Sequence, residues 1–275
     1  MDALTTTLGY LHGYSEYETR RLADQADTLA ALLHAGTAYP AADRVLEVGC
    51  GVGAQTAHLV RSSPGARLVA VDLAEDSLAK ARARVAAQAP GAVVHWLRAD
   101  LHRLPFPDAW FDHLFVCFVL EHLPDPVRVL AGLGRVLRPG GTITVIEGDH
   151  GSAVFHPDSL HARAVIGCQV QLQAAAGGGA LIGRRLQPLL TDAGYLDVEV
   201  RPRTVYADQT RPAMVDGFTR HTFIAMIEAV RDEALTAGLC TTTDWERGIA
   251  DLRRTALDGG TFHYTFLKAA ALNPD

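Results

Sequence analysis

The sequence predicts an α/β fold, an open sheet of mostly parallel strands with helices on both faces. Three observations carry that reading. Short apolar runs alternate with stretches of helical periodicity from residue 44 to residue 148. Glycine, proline or aspartate bounds most of the runs, as buried parallel strands require. Neither a repeat nor a low-complexity linker divides the 275 residues, so 1–275 reads as one domain. Within it, 1–40 is an N-terminal arm and helix, 41–206 and 261–275 form the core, and 207–260 is a helical lid insertion.

Ser15 and Glu18 make a capping box, so a helix starts near Glu16. Leu22, Ala26, Leu29 and Leu33 keep its apolar face, and Gly36 and Pro40 end it. RVLEVGC (44–50) is a buried strand stopped by glycines, followed by a helix at 54–62. RLVAVDL (67–73) is a second strand, with a helix at 76–89 ended by Pro90-Gly91. VVHWLRAD (93–100) and FDHLFVCFV (111–119) are the third and fourth strands. Asp125 caps a helix with Pro126 at its first position, and Pro139-Gly140-Gly141 ends it. TITVIEG (142–148) is the fifth strand. Right-handed crossovers turn this βαβ series into one open sheet. Helices follow at 157–175 and at 181–193, the second kinked at Pro188. DVEVRPRTVY (197–206) is a strand, 211–258 is mostly helical, and TFHYTFLKAAA (261–271) is the last strand.

Composition narrows the function. The chain is 48% apolar and 20% charged, as ordinary globular proteins are. Its net charge is −6 and it has no dense Lys/Arg run, which disfavours nucleic acid as a partner. The start MDALTTTLGY has neither a basic n-region nor an apolar core, so no signal peptide is expected. With no apolar run reaching about 18 residues, no membrane partner is expected either. Cys50, Cys117, Cys168 and Cys240 lie far apart without a C-x-x-C pair. That fits a reducing cytoplasm and argues against a disulfide framework or a zinc ribbon.

The first strand ends in Glu47-Val48-Gly49-Cys50-Gly51-Val52-Gly53, a turn that lets backbone approach a ligand at the carboxyl edge of the sheet. Alone the turn is ambiguous. Gly49, Gly51 and Ala54 also satisfy the dinucleotide fingerprint G-x-G-x-x-A, and Asp72 would bind a ribose diol in either chemistry. Three features favour another cofactor. Glu47 stands where a carboxylate can hold the amino group of a methionine moiety. Asp100 closes the third strand, where it can accept from an adenine amine. The stretch F-D-x-x-F-V-C-F-V-L-E-H-L-P-D-P (111–126), with V-L-R-P-G-G (136–141) before the next strand, has no dehydrogenase counterpart.

This ordered set, across residues 40–150, resembles the class I S-adenosylmethionine-dependent methyltransferases. The resemblance implies a Rossmann-like seven-stranded sheet in the order 3-2-1-4-5-7-6 with strand 7 antiparallel. It implies S-adenosylmethionine as cofactor, S-adenosylhomocysteine as product, and contacts from Glu47, Gly49, Gly51, Gly53, Gln55, Asp72, Leu73, Asp100, Leu101 and Cys117. The pattern Y-x-H-G-Y-S-x-x-E-x-x-R-L-x-x-Q-A (10–26) is similar to a subgroup of small-molecule methyltransferases, in which Tyr14 and Arg21 would reach the cofactor's carboxylate.

On the substrate side, that topology brings three histidines toward one pocket. His150 follows the fifth strand, His263 starts the seventh, and the lid carries Phe218, His221 and Phe223. Tyr10, Phe118, Glu121 and His122 join as substrate contacts, and Tyr14 joins His150, His221 and His263 as a catalytic candidate. The histidines have three readings: a general base, a metal site that enolises a keto acid, or bystanders among twelve histidines. E-G-D-H-G-S (147–152) and G-T-F-H-Y-T-F (260–266) look like bacterial natural-product methyltransferases, a group that C-methylates indoles and α-keto acids. The expectation is C-methylation of an aromatic, indole-type metabolite in natural-product biosynthesis. Metal-assisted methylation of an α-keto acid and O- or N-methylation are the alternatives. A binding subunit without catalysis is the non-enzymatic one, and it has no physical need of Gly49, Gly51, Gly53 and Asp72. A homodimer is compatible with all of these.

Overall fold

The computed structural model describes residues 16–274. Tyr10, Tyr14 and the rest of the arm lie outside the described residues, as do the side chains of residues 16–20. Seven strands form one sheet in the order β3-β2-β1-β4-β5-β7-β6. They are β1 (Arg44–Val48), β2 (Arg67–Asp72), β3 (Val94–Arg98), β4 (Phe111–Cys117), β5 (Leu137–His156), β6 (Leu196–Ala207) and β7 (Thr261–Leu272). The first five pair in parallel, and β7 runs antiparallel to both β5 and β6. The expected order and the antiparallel strand are therefore those observed. Among the described residues, no helix is long and apolar enough to cross a membrane.

Helices α1 (Glu16–Leu33), α2 (Thr56–Ser62), α3 (Glu75–Gln88), α4 (Pro126–Val136), α5 (Leu160–Ala175) and α6 (Leu186–Asp192) cover the sheet. Asp125 caps α4, accepting from Arg128 N–H at 3.1 Å, with Pro126 at the first helical position. The kink expected at Pro188 is absent. A 3₁₀ turn at Ile182–Arg185 passes into α6 ahead of the proline, which lies in the first helical turn, where a missing N–H costs nothing.

The largest departure from expectation is β5. It runs 20 residues, from Leu137 to His156, well past the 142–148 expected. Gly148, Asp149 and Gly151 look like turn residues, yet the antiparallel neighbour β7 pairs with Gly148 and Asp149 and resumes at Val154, leaving Gly151 in the irregular stretch between. Pairing continues to His156↔Thr261 through a register shift between Asp149 and Val154. Arg184 clamps the shifted section, donating to both Asp149 carboxylate oxygens at 2.8 and 2.7 Å.

The segment between β6 and β7 is helical, as expected. It comprises α7 (Pro212–Met214), a π-helix (Val215–Ile224), α8 (Ala225–Ala229), α9 (Arg231–Thr236) and α10 (Thr242–Arg254). Phe218, Phe223, Trp245, Ile249 and Leu252 from this insertion share one buried core with Phe115, Ile146 and Phe262 of the sheet and with Leu29 and Leu33 of α1.

α1 is fastened by the buried Lys268 of β7. Its ammonium donates to Leu33 O at 3.2 Å, to Ala35 O at 2.9 Å and to the Thr37 hydroxyl. A cation at a helix carboxyl end complements the helix dipole and satisfies its terminal carbonyls. Lys268→Met keeps the stem but leaves buried acceptors unpaired. It should lower the unfolding free energy by about 1–3 kcal/mol in urea titrations and speed amide exchange in the last turn of α1. Unchanged stability would show that the clasp is not structural.

Candidate active site

The carboxyl ends of β1, β2, β4 and β5 open into a cleft of about 320 Å³, closed on one side by α1 and the π-helix. Arg21, Glu47, Gly49, Gly51, Gln55, Asp72, Leu73, Asp100, Leu101, Cys117, Phe118, Glu121, His122, His150 and Phe218 all line it. Most of the residues singled out from sequence thus share one cavity. The exceptions are Gly53, His221 and His263, and, outside the described residues, Tyr10 and Tyr14.

At the β1 edge, Gly49 has φ +68° and its Cβ would stand 2.7 Å from Val119 Cγ2, so no side chain fits there. Asp72 braces the turn. Its Oδ2 accepts from Gly51 N–H at 2.8 Å and its Oδ1 from Ala74 N–H at 2.9 Å. Each oxygen keeps a lone pair for a ligand hydroxyl. Asp100 accepts from His102 N–H at 2.9 Å. Leu73 is 58% exposed beside them, an apolar platform at the cleft rim. Glu47 is the outstanding group. It is 2% exposed, its Oε2 is buried without a hydrogen-bond partner, and burial, with Asp72 nearby, pushes its pKa up to about 8. A buried orphan oxygen of this kind suits a cationic ligand group. The donor set therefore fits S-adenosylmethionine, with Glu47 for the ammonium, Arg21 and Gln55 for the carboxylate, and Asp72 for the ribose diol.

Deeper in, the wall becomes aromatic. Phe118 adopts φ +58°, a left-handed backbone uncommon for a bulky residue, held by its N–H donating to Ile146 O at 3.0 Å. Its ring lies 5.5 Å from that of Phe266. Phe218, Phe223, Tyr264 and Phe266 continue the wall, with neighbouring centroids 4.8–6.4 Å apart. The loop after β4 is held by the buried Glu147, whose Oε1 accepts from Val119 N–H at 3.0 Å and Leu120 N–H at 2.8 Å. Burial and the adjacent Glu121 raise its pKa well above the usual carboxylate range. Burial likewise pushes the Cys117 thiol up, so it stays neutral.

His150 stands within β5, not after it, 7% exposed and facing this wall. Its Nδ1 shares a 2.7 Å hydrogen bond with the Tyr264 hydroxyl. Burial lowers its pKa, which keeps the imidazole neutral at pH 7. Nε2 is the ring nitrogen left for chemistry.

The expected convergence of three histidines does not occur. Strand alternation turns Phe262, Tyr264 and Phe266 inward and His263 to the opposite face, in register with Val154 and Tyr206, both exposed. His221 is excluded by the π-helix. Hydrogen bonds of the i→i+5 type bring Phe218 and Phe223 to one side, and His221 is left exposed on the other. The metal reading loses two of its three ligands; among the described residues no group of three His, Cys, Asp or Glu could hold a metal ion. Gly53 is a packing glycine. At φ +73°, its Cβ would sit 2.8 Å from Ala81 Cα, so it lets α3 approach the turn. Tyr264, Phe266, Met226 and Gln25 line the cleft without having been singled out. Alternation in T-F-H-Y-T-F held the signal for the first two, once the inward face was known.

Residues 46–145 match the family described as a methyltransferase domain. The chain is 39% identical to a demethylmenaquinone methyltransferase of Thermus thermophilus over 38% of this chain and 46% of that protein. It is 31% identical to the 27-O-demethylrifamycin SV methyltransferase of Amycolatopsis mediterranei over 49% of each. The chain spans about half the length of the curated relatives it matches. The solved phosphoethanolamine N-methyltransferase 2 of Haemonchus contortus, with phosphomonomethylethanolamine and S-adenosylhomocysteine, shares the fold. Its TM-score is 0.56 at 18% identity, covering 90% of this chain and 53% of that one.

Glu47 supplies a pH test. Below about pH 8 the ligand-free carboxyl holds its proton, and pairing with an ammonium requires the ion. Affinity for S-adenosylhomocysteine should therefore rise as pH approaches 8, until the ligand's own ammonium begins to lose its proton, with proton release on binding at pH 7. Calorimetry in buffers of different ionisation heat reads the release. Glu47→Gln should remove it and weaken binding roughly ten- to a hundredfold. Proton uptake, or the same release from the variant, would contradict the assignment.

Proposed function

We propose that the chain is a class I S-adenosylmethionine-dependent methyltransferase and that it methylates a small aromatic metabolite, on carbon, with an indole-type ring as acceptor. The aromatic wall of Phe118, Phe218, Phe223, Tyr264 and Phe266 carries the proposal, because it offers a flat apolar body stacking surfaces and little else. When bound, S-adenosylmethionine supplies an electrophilic methyl group. The protein's part is positioning, because alignment of donor and acceptor accounts for most of the rate gain in such a transfer. Glu47, Arg21, Gln55 and Asp72 hold the donor end, and the aromatic wall holds the acceptor ring. Helices of the insertion exclude water from the space between.

A ring carbon that gains a methyl group must lose its proton, and His150 is the group to receive it. Nδ1 is engaged by Tyr264, so Nε2 accepts. For this the imidazole donates its Nδ1–H to the Tyr264 oxygen, the tautomer a Nε2 lone pair requires. An O- or N-acceptor would use the same proton path, so the methylated atom is set by the acceptor seated in the wall.

His150→Ala should slow the chemical step by roughly a hundredfold while affinity for S-adenosylhomocysteine stays the same. Because burial keeps the His150 pKa below the ordinary imidazole value, the wild-type rate at saturating cofactor should be flat near pH 7 and fall on acidification. A methyl-labelled cofactor offered with indole-bearing, phenolic, amine and keto-acid acceptors tests the substrate class. Label on an indole carbon supports the proposal. Label confined to oxygen or nitrogen of the other acceptors contradicts it.

A further inference from the structure

Proton transfer through His150 leaves a second, half-buried imidazole unused. His34 follows the last residue of α1 and stands behind the cleft wall. Its ring stacks on Phe115 of β4 at 5.6 Å and 21° and lies 5.3 Å from the ring of His58 on α2. Its Nε2 is 2.7 Å from Gln55 Oε1, and its Nδ1 is buried without a partner. Gln55 is 9% exposed and lines the cleft on the side that Arg21 and Gln25 also line.

Burial lowers the His34 pKa to about 4, so the ring is neutral and carries a single N–H. A buried N–H without an acceptor is rarer and costlier than an unused lone pair. The proton therefore sits on Nε2 and is donated to Gln55 Oε1, and the orphan atom Nδ1 is the lone pair. With its carbonyl engaged, Gln55 has only its amide NH₂ left to offer. That nitrogen is not among the buried unpartnered atoms, and the space beside it is the cleft.

We propose that His34 is a positioning residue of the cofactor site: it fixes the Gln55 amide so that the NH₂ faces the α-carboxylate of the bound cofactor. Without the imidazole N–H, the amide is free to turn its carbonyl toward that carboxylate, which is repulsive. The proposal rests on the S-adenosylmethionine reading above, and it adds a residue that touches no ligand.

The test compares two ligands by calorimetry, S-adenosylhomocysteine and 5′-methylthioadenosine, which lacks the amino-acid end. His34→Phe keeps a ring against Phe115 and removes the N–H. It should weaken S-adenosylhomocysteine roughly tenfold, the worth of one hydrogen bond to a charged group, and leave methylthioadenosine unchanged. His34→Gln restores an N–H donor and should recover part of the loss. In a Gln55→Ala background, His34→Phe should have no further effect. Equal loss for both ligands, or additive losses in the double variant, would overturn the proposal in favour of a packing role. If His34→Phe does not fold, the comparison of His34→Gln with Gln55→Ala on the same two ligands decides. Failure of the unmodified protein to bind either ligand would instead overturn the cofactor reading itself.

Discussion

β7 lies between β5 and β6, antiparallel to both, and its register decides what the cleft contains. A pleated strand sends alternate side chains to opposite faces, so a slip of one residue exchanges the whole set. In the observed register Phe262, Tyr264 and Phe266 face inward and His263 faces out. The same pairing draws β5 out to His156, which carries His150 inside a strand and sets it against Tyr264. It also brings Lys268 under the end of α1, whose other residues Arg21 and Gln25 reach the cleft. One strand thus sets the aromatic wall, the candidate base and the helix that closes one side of the cleft.

Two buried carboxyl groups each leave one oxygen without a partner within the protein. Glu47 Oε2 and Glu147 Oε2 are both buried and unpartnered, and both carboxyls have raised pKa values because burial disfavours the charge. They differ in use. Glu147 spends its other oxygen on two backbone N–H groups that shape the loop carrying Val119 and Leu120. Glu47 faces the cavity, so its unmet oxygen is available to a ligand. Buried polar groups left unsatisfied are costly, and such costs concentrate where a ligand offsets them.

The part of the cleft formed by the glycine turn and its carboxylates was legible in the sequence because it is local. The Glu47–Gly53 turn, Asp72 and Asp100 each close a short strand whose glycine, aspartate and apolar run can be read within ten residues. Strands β1 to β4, the cap at Asp125 and the strand order followed from the same patterns and from the family resemblance. The aromatic side depends on contacts more than a hundred residues apart. Residues 149–156 fall outside the strand expected from sequence because the ladder partners of Asp149 and of Val154, Phe155 and His156 come from β7. His221 and His263 seemed equivalent to His150 because periodicity does not reveal a π-helix or a strand's inward face. Gly53 shared the turn with Gly49 and Gly51, yet only Ala81, on α3, shows that it serves packing.

Everything in the cleft turns on its being made for an adenosyl amino acid and not for a dinucleotide. A thermal-denaturation titration with S-adenosylhomocysteine and NAD in parallel tests this directly, since a ligand that binds only the folded protein raises its midpoint by mass action. The midpoint should climb with S-adenosylhomocysteine and stay fixed with NAD. A climb with NAD alone would contradict the cofactor assignment, as would no response to S-adenosylhomocysteine.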